Sequence, residues 1–580
     1  MGLTRELTMK FKFLTFTAVS IVVGFIFFYL GEPSSAQIKG GRKITEPVVS
    51  ASAPVTPSTL NDRKIVIYDW RTVVNNGDTI PGTGNARFSS YGQPSVNSTG
   101  SVVFRARSTG GQRATGIFIR HSEMEPILKI ADLNTEVPYP NNLNTTFKEF
   151  SAIPRIAPNE RFVTMLGRHQ PVYRYLLPDG TETRAGTNGI YVQLNEGLLI
   201  TAESKLGKAP GFDFFSVPNY KDTAFDVFPG APTITDEGVI AFKGNYTIDG
   251  IGKTGVFTRR LFSTAAGGNE QSTMIASSDM EIPNMPPSFA ALNFDSTSPP
   301  TAFGDKVLFL GLDNEDDPNA GGIYSAFVKG SQIEMVIGIG DEVPGTKTGA
   351  LTRIGEALAY DGRYVTFWGA WGKDTFTQRL YCPVDGNRDI INYCNGVDPH
   401  SVYDEETNSW YQDKEVPLNQ GIFLFDTYTN MGYLVADNAA DFNDFVYWTY
   451  SGHVPAPDEP DAEPPRWRST AFAAMSDGRV VFKARTGALS KTGVYVDPVD
   501  GLYLGTPLVD DMLSVIVETG MEGSYFDPNV SKLFRATLPV VGFGIERDGF
   551  RGNMLAVTIS MADEENSWGG IYLANVGGNR

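Results

Sequence analysis

Along most of this chain, apolar and polar residues alternate in short runs, and Gly, Asn, Asp or Pro closes each run. A period of two predicts half-buried β-strands, and the turn residues predict tight connections between them. One run carries a tripeptide, Gly-[Ile/Val]-[Phe/Tyr], that recurs seven times. Its copies begin at Gly116, Gly189, Gly255, Gly322, Gly421, Gly493 and Gly570. Before most copies stands a turn followed by an alternating strand, as in Asn97–Phe104, Thr235–Phe242, Asp361–Phe367 and Asp477–Phe482. After six of them comes an apolar strand ending near an acidic residue, usually with Pro beyond it. Leu128–Asp132, Leu199–Glu203, Met274–Asp279, Val336–Asp341 and Leu434–Asp437 show the pattern, and Ser514–Glu518 shows it without the Pro.

With an apolar strand leading into each turn (Phe150–Ile153, Thr470–Met475), every repeat holds four antiparallel strands, here named A to D. Repeats of roughly 70 residues are too long for a solenoid and suit a propeller blade with loops. The count supplies the closure. The last copy, at Gly570, has no strand after it, whereas Val73–Asp78, followed by Pro81, is a D-type strand with no copy before it. The expectation is therefore an all-β fold: a seven-bladed β-propeller of four-stranded antiparallel blades over 63–577. An N-terminal strand, Val73–Asp78, completes the last blade beside Gly570–Leu573 and removes the open edge.

The Asn97–Phe104 and Thr235–Phe242 turns followed by Gly-Ile-Phe resemble exported bacterial choice-of-anchor proteins with a tandem NxxGxxxAF repeat. The resemblance covers about residues 70–575, and only Gly238–Phe242 carries the Ala-Phe pair. It implies export and a repeat but no activity. The chain ends Ala574 to Arg580 without the sorting signal that the resemblance implies, so any anchor is expected at the N-terminus.

The N-terminus supports export. Arg5, Lys10 and Lys12 precede an apolar run from Phe13 to Leu30, and Ser34-Ser35-Ala36 offers small residues for cleavage before Gln37. Residues 1–36 are read as a signal peptide or, uncleaved, as a signal anchor, the run being long enough to span a bilayer. Residues 37–62 form a flexible spacer rich in Gly, Ser, Thr and Pro. The expected location is secreted, periplasmic or cell-surface, with membrane contact only through an uncleaved N-terminus. A net charge of −18 argues against nucleic acid as a partner.

Chemistry is sparse. No Gly-x-Ser-x-Gly, Walker loop or His-Glu-x-x-His occurs, and the four histidines are scattered. No catalytic residue is assigned and no cofactor is required. Calcium is the one ion suggested, at Asp313, Asp316 and Asp317 or at Asp385, Asn387 and Asp389, where oxygen ligands cluster without the full loop spacing. Cys382 and Cys394, twelve positions apart in an exported chain, are expected to form a disulfide.

Antiparallel alternation puts the B–C and D–A connections on one face of the disc, and the long insertions fall there: 167–188, 204–229, 369–420 and 438–469. A longer C–D loop at 497–512 is expected on the opposite face. The insertions hold Tyr173, Tyr175, Phe212, Phe214, Phe215, Tyr220, Trp410, Tyr411, Tyr447, Trp448, Tyr450, His453 and Trp467. The candidate ligand face is Tyr173, Tyr175, Phe212, Trp410, Tyr411, Trp448, His453 and Trp467, since rings on loops supply stacking surface for a glycan or anchors for an extracellular protein. The function expected is binding of an extracellular or envelope ligand. The alternative is a hydrolase or lyase acting on an exported polysaccharide through paired carboxylates at the pore mouth.

Overall fold

A computed structural model describes residues 64–577, except 109–113, 262–269, 284–291, 331, 347–348, 439–441, 453, 456–463, 511 and 535–537. The signal segment 1–36, the whole of the spacer 37–62 and His453 lie outside the described residues. Among those described, the repeat strands gather into seven antiparallel sheets arranged in a ring, a seven-bladed β-propeller. Blades 1 to 7 start in sequence at Ser90, Phe147, Phe225, Ser296, Leu351, Ala473 and Val540, the sixth having an earlier bridge at Asp444.

The predicted closure is present. Strand Trp70–Asn75 pairs antiparallel with Ser567–Asn575, with Val74 opposite Ile571 and Asn75 opposite Gly570. Val73 and Val74 are buried in a cluster that also holds Phe104 and Phe118 of blade 1, so the strand joins the last blade to the first. A second N-terminal piece was not anticipated: Lys64–Ile65 runs parallel to Ser514–Val515 and extends the outer edge of blade 6.

The repeats are explained by one packing unit. In five blades the B-strand Phe faces the C-strand aromatic: Phe104–Phe118, Phe242–Phe257, Phe309–Tyr324, Phe367–Phe423 and Phe482–Tyr503, with ring centroids 5.5–5.9 Å apart. Seven apolar clusters lie one between each pair of neighbouring blades, because a blade covers its faces only against its neighbours. The repeat glycine sits where a D-strand bulge presses its carbonyl inward. A Cβ on Gly116 would lie 2.6 Å from the Ala131 oxygen, and one on Gly255 would lie 2.7 Å from that of Ala276.

The pairing corrects one copy. Tyr503 pairs with Phe482 and Gly501 with Ala484, so the sixth unit is Gly501-Leu502-Tyr503, not Gly493-Val494-Tyr495. Gly493 instead lies in a hairpin turn at φ 79°, against Thr377 of the neighbouring insertion. Leu matches the Ile/Val position physically but not by letter. For the same reason the expected C–D loop at 497–512 is mostly strand, Tyr495–Gly505. The run Phe150–Ile153 likewise falls between two strand segments, Phe147–Glu149 and Arg155–Ile156.

Candidate functional site

Strand A, the innermost of each blade, is interrupted in all seven. The second segments, such as Ser95–Val96, Arg155–Ile156, Thr233–Ile234 and Ala359–Tyr360, lie side by side around the axis. The interruptions therefore ring the channel, and what fills them decides what the channel is. In blade 7 the filling is Ile545–Gly549, and its charges cross the axis. Arg155 of blade 2 reaches Glu546 at 2.8 Å and Asp548 at 2.9 Å. Arg547 donates to the Pro299 and Pro300 carbonyls of blade 4 at 3.0 and 2.6 Å. Arg551 pairs with Asp548 and donates to the Tyr360 carbonyl of blade 5. All are buried, and their mutual pairing is what makes such burial tolerable. This plug occupies the axis on the side of the short A–B turns, so the accessible mouth is on the loop-rich face.

In blade 6 the interruption holds a whole hairpin. Asp444 bridges Arg485 as the first part of strand A, and Val446–Ser451 then pairs with Arg466–Ala471 before the strand resumes at Ala473. The 438–469 insertion thus arises inside strand A and stands over the mouth. Trp448 donates to Gln378 at 3.0 Å, Tyr450 donates to Asp398 at 2.6 Å, and Arg466 pairs with Glu315 and Asp316. These contacts tie the hairpin to the 369–420 insertion and to blade 4.

The hairpin stands between two cavities. One, of about 290 Å³, is lined by Trp368, Trp448, Trp467, Lys243, Glu356 and Glu415, among others. The other, of about 530 Å³, opens between blades 6, 7, 1 and 2. It is lined by four cations, Arg105, Arg107, Lys148 and Lys483, and two carboxylates, Glu149 and Asp500, with Phe472 and Phe543 as apolar walls. Lys483 Nζ lies 3.8 Å from the Tyr447 ring centre, 5.2 Å from that of Phe543 and 5.9 Å from that of Phe472. Burial pushes this ammonium down to about 8. Asp500 holds Arg485 at 2.7 and 3.1 Å and accepts from Tyr447 at 3.3 Å. Asp444, bridged to Arg485 through the backbone, is fully buried, and burial raises its carboxyl to about 6. It accepts from the Val446 amide and from Gln420 and offers no surface to a ligand.

Of the candidate ligand-face residues described, Phe212 is buried, and Tyr173, Tyr175, Trp410, Tyr411, Trp448 and Trp467 are half-buried. Tyr173 packs on Phe212 at 5.1 Å, and Phe212 is buried under its own loop with Tyr175 beside it. Trp410 belongs to the small core around Cys382 and Cys394, and Tyr411 lies 3.7 Å beneath Arg379. Trp448 and Trp467 do line a cavity. His169 is bonded to Tyr191 and to the Gln170 carbonyl, and burial lowers it to about 4, which keeps it neutral. Cys382 and Cys394 form the expected disulfide, with Cα atoms 5.8 Å apart. Of the calcium candidates, Asp313 accepts from Asn319 and Ala320, Asp316 holds Arg466, and Asn387 caps the helix Arg388–Cys394. Asp317 and Asp389 donate backbone amides to Asn314 and Asn387. Among the described residues no group of three or more His, Cys, Asp or Glu is gathered to hold a metal ion.

What sequence reasoning missed were the cavity cations, although the signal was in the repeat. Arg105, Lys243 and Lys483 each follow the B-strand Phe of their blade, and Trp368 follows Phe367. Since that Phe faces the blade interface, the next residue on the strand points to the opposite side, and all four line the two cavities.

No protein-family model and no curated protein matches the chain. Among solved structures, an acylaminoacyl peptidase from Pyrococcus horikoshii aligns over 84% of this chain and 52% of its own, at 11% identity and a TM-score of 0.33. The chain thus spans about half the length of that peptidase. The polysaccharide lyase Uly1 aligns over 86% of this chain and 94% of its own, at 8% identity and a TM-score of 0.37. The GH43 protein BlXynB from Bacillus licheniformis aligns over 85% and 96%, at 8% identity and a TM-score of 0.21. Nothing about the chemistry of this chain follows from them.

Proposed function

We propose that this protein is an exported binding module for an anionic glycan, which enters the larger mouth cavity between blades 6, 7, 1 and 2. One observation carries the reading: four cationic side chains against two carboxylates line this cavity in a chain whose net charge is −18. A positive recess in a negative surface attracts anions selectively, and the rings of Phe472 and Phe543 offer apolar contact to sugar faces. Hydrolysis by paired carboxylates is disfavoured here, because of the two carboxylates lining this cavity Asp500 is held by Arg485 and Tyr447 and Glu149 lies 3.6 Å from Arg168.

The test is binding of polygalacturonate and of neutral dextran to the full chain, at two salt concentrations. The polyuronate is expected to bind, more weakly at high salt, and dextran is not. Arg107 and Lys148 are both exposed, so the double change R107A/K148A should leave folding intact. It should weaken polyuronate binding roughly tenfold, about 1–1.5 kcal/mol for two partly screened contacts. Equal binding of dextran, or an unaltered double variant, would overturn the reading. Capture of a protein instead of either glycan would replace it.

A further inference from the structure

Lys483 is the cavity cation with the least ordinary surroundings. Its amine faces three aromatic rings, those of Tyr447, Phe543 and Phe472. The nearest carboxylate named in its electrostatics, Asp500, is engaged by Arg485 and by the Tyr447 hydroxyl. Lys243 occupies the matching place in blade 3 and makes a useful contrast. Burial lowers its ammonium as well, but Glu356 and Glu315 oppose this, where Asp500 alone does so for Lys483. Across the larger cavity from Lys483 stand Arg105, Arg107 and Lys148.

We propose that Lys483 is a nucleophilic amine that condenses with the carbonyl group of an anionic aldehyde or oxo acid held by these cations. The proposal rests on the anionic-ligand reading and adds a covalent step to it. The free amine attacks the carbonyl carbon, forming a C–N bond while the carbonyl oxygen takes up a proton. The nitrogen then gives up its remaining protons as the C–O bond breaks and water leaves. An imine and one water are the products, so no oxidant or further reactant is needed. An acidic sugar carries both required groups, a carboxylate for the cations and a reducing-end aldehyde for the amine.

The geometry favours the reactive form in two ways. The rings exclude water from one side of the amine, and no carboxylate is hydrogen-bonded to it among the described residues. Burial also lowers the ammonium to about 8, with Asp500 opposing this and Arg485 adding to it. An exposed lysine titrates near 10.4, so Lys483 has about two hundredfold more free amine near neutral pH. Lower basicity offsets part of this and leaves a rate advantage of roughly tenfold.

The probe is glyoxylate, the smallest anionic aldehyde, given to the full chain with cyanoborohydride to trap the imine as carboxymethyl-lysine. Peptide mass spectrometry should find Lys483 modified roughly tenfold faster than the exposed Lys208 and Lys221. The rate should rise with pH to a midpoint near 8, and added polygalacturonate should protect the site. K483R, a cation without a free amine, should lose this adduct. If K483R fails to fold, the wild-type pH midpoint and the protection still decide the matter. Polygalacturonate binding with Lys483 no faster than Lys208 overturns the covalent inference alone. Absence of both binding and adduct overturns the reading beneath it.

Discussion

Removing residues 1–78 should unfold the ring as a whole, although among the described residues it deletes only the strand Trp70–Asn75 and the two-residue Lys64–Ile65 edge of blade 6. The strand Trp70–Asn75 buries Val73 and Val74 and packs Trp70 on Phe526 at 5.5 Å. Burying two valines and part of a tryptophan contributes about 4–6 kcal/mol. Asn75 also donates to Asp527 at 2.8 Å, on the carboxylate oxygen that accepts from Trp568 and Tyr572. Asp527 is fully buried, so losing one of its donors costs a further ~1–3 kcal/mol. Arg120 of blade 1 loses the Val73 carbonyl it holds at 2.7 Å. The chain entropy recovered is largely offset by the lost ladder hydrogen bonds, which leaves a net loss of about 5–8 kcal/mol. That is comparable with the entire stability of an ordinary domain. Thermal unfolding followed by circular dichroism, with limited proteolysis beside it, should show one early cooperative loss. A peptide of residues 64–80 added in trans should restore part of it. V74D in the full chain should mimic the truncation, since it puts an unpaired charge at the same interface. An unchanged melting temperature in both variants, or cleavage confined to blade 7, would refute the idea that closure couples the first and last blades.

Two further outcomes are expected. G501V should lower the melting temperature more than G493V does. A Cβ on Gly501 would run into the Tyr503 side chain inside blade 6, whereas one on Gly493 would strain a hairpin turn at φ 79° and meet the Thr377 oxygen at 2.7 Å and the Arg379 amide at 3.1 Å, away from the packing between blades; the reverse order would reinstate Gly493 as the sixth repeat glycine. Glu203 should carry a pH signature. Burial raises its carboxyl from 4.5 to about 7, so the native state binds the extra proton and stability falls as pH rises from about 4.5 to 7, by about 3 kcal/mol from this group. Urea midpoints measured across that window should decline more steeply for the wild type than for E203Q, and parallel curves would rule the assignment out.

The architecture was legible because each element of it is local. A period of two, a turn glycine and an aromatic two places beyond the repeat glycine are all set by what one blade needs to pack on the next. Counting them was enough for seven blades and for the Val73–Asp78 closure. The count survived a misplaced copy, since Leu502 fills the Ile/Val position by shape, which letters do not record. The disulfide was equally local, twelve positions apart. The mouth was not. Arg155 and Glu546 lie 391 residues apart and meet only across the axis. Whether an aromatic on a loop faces a ligand or its own blade depends on how that loop folds back, and Phe212 folded back. Lys483 and Arg105 follow their core phenylalanines in plain view. That the two cations share one recess is decided by ring closure, which sets blade 1 two places from blade 6.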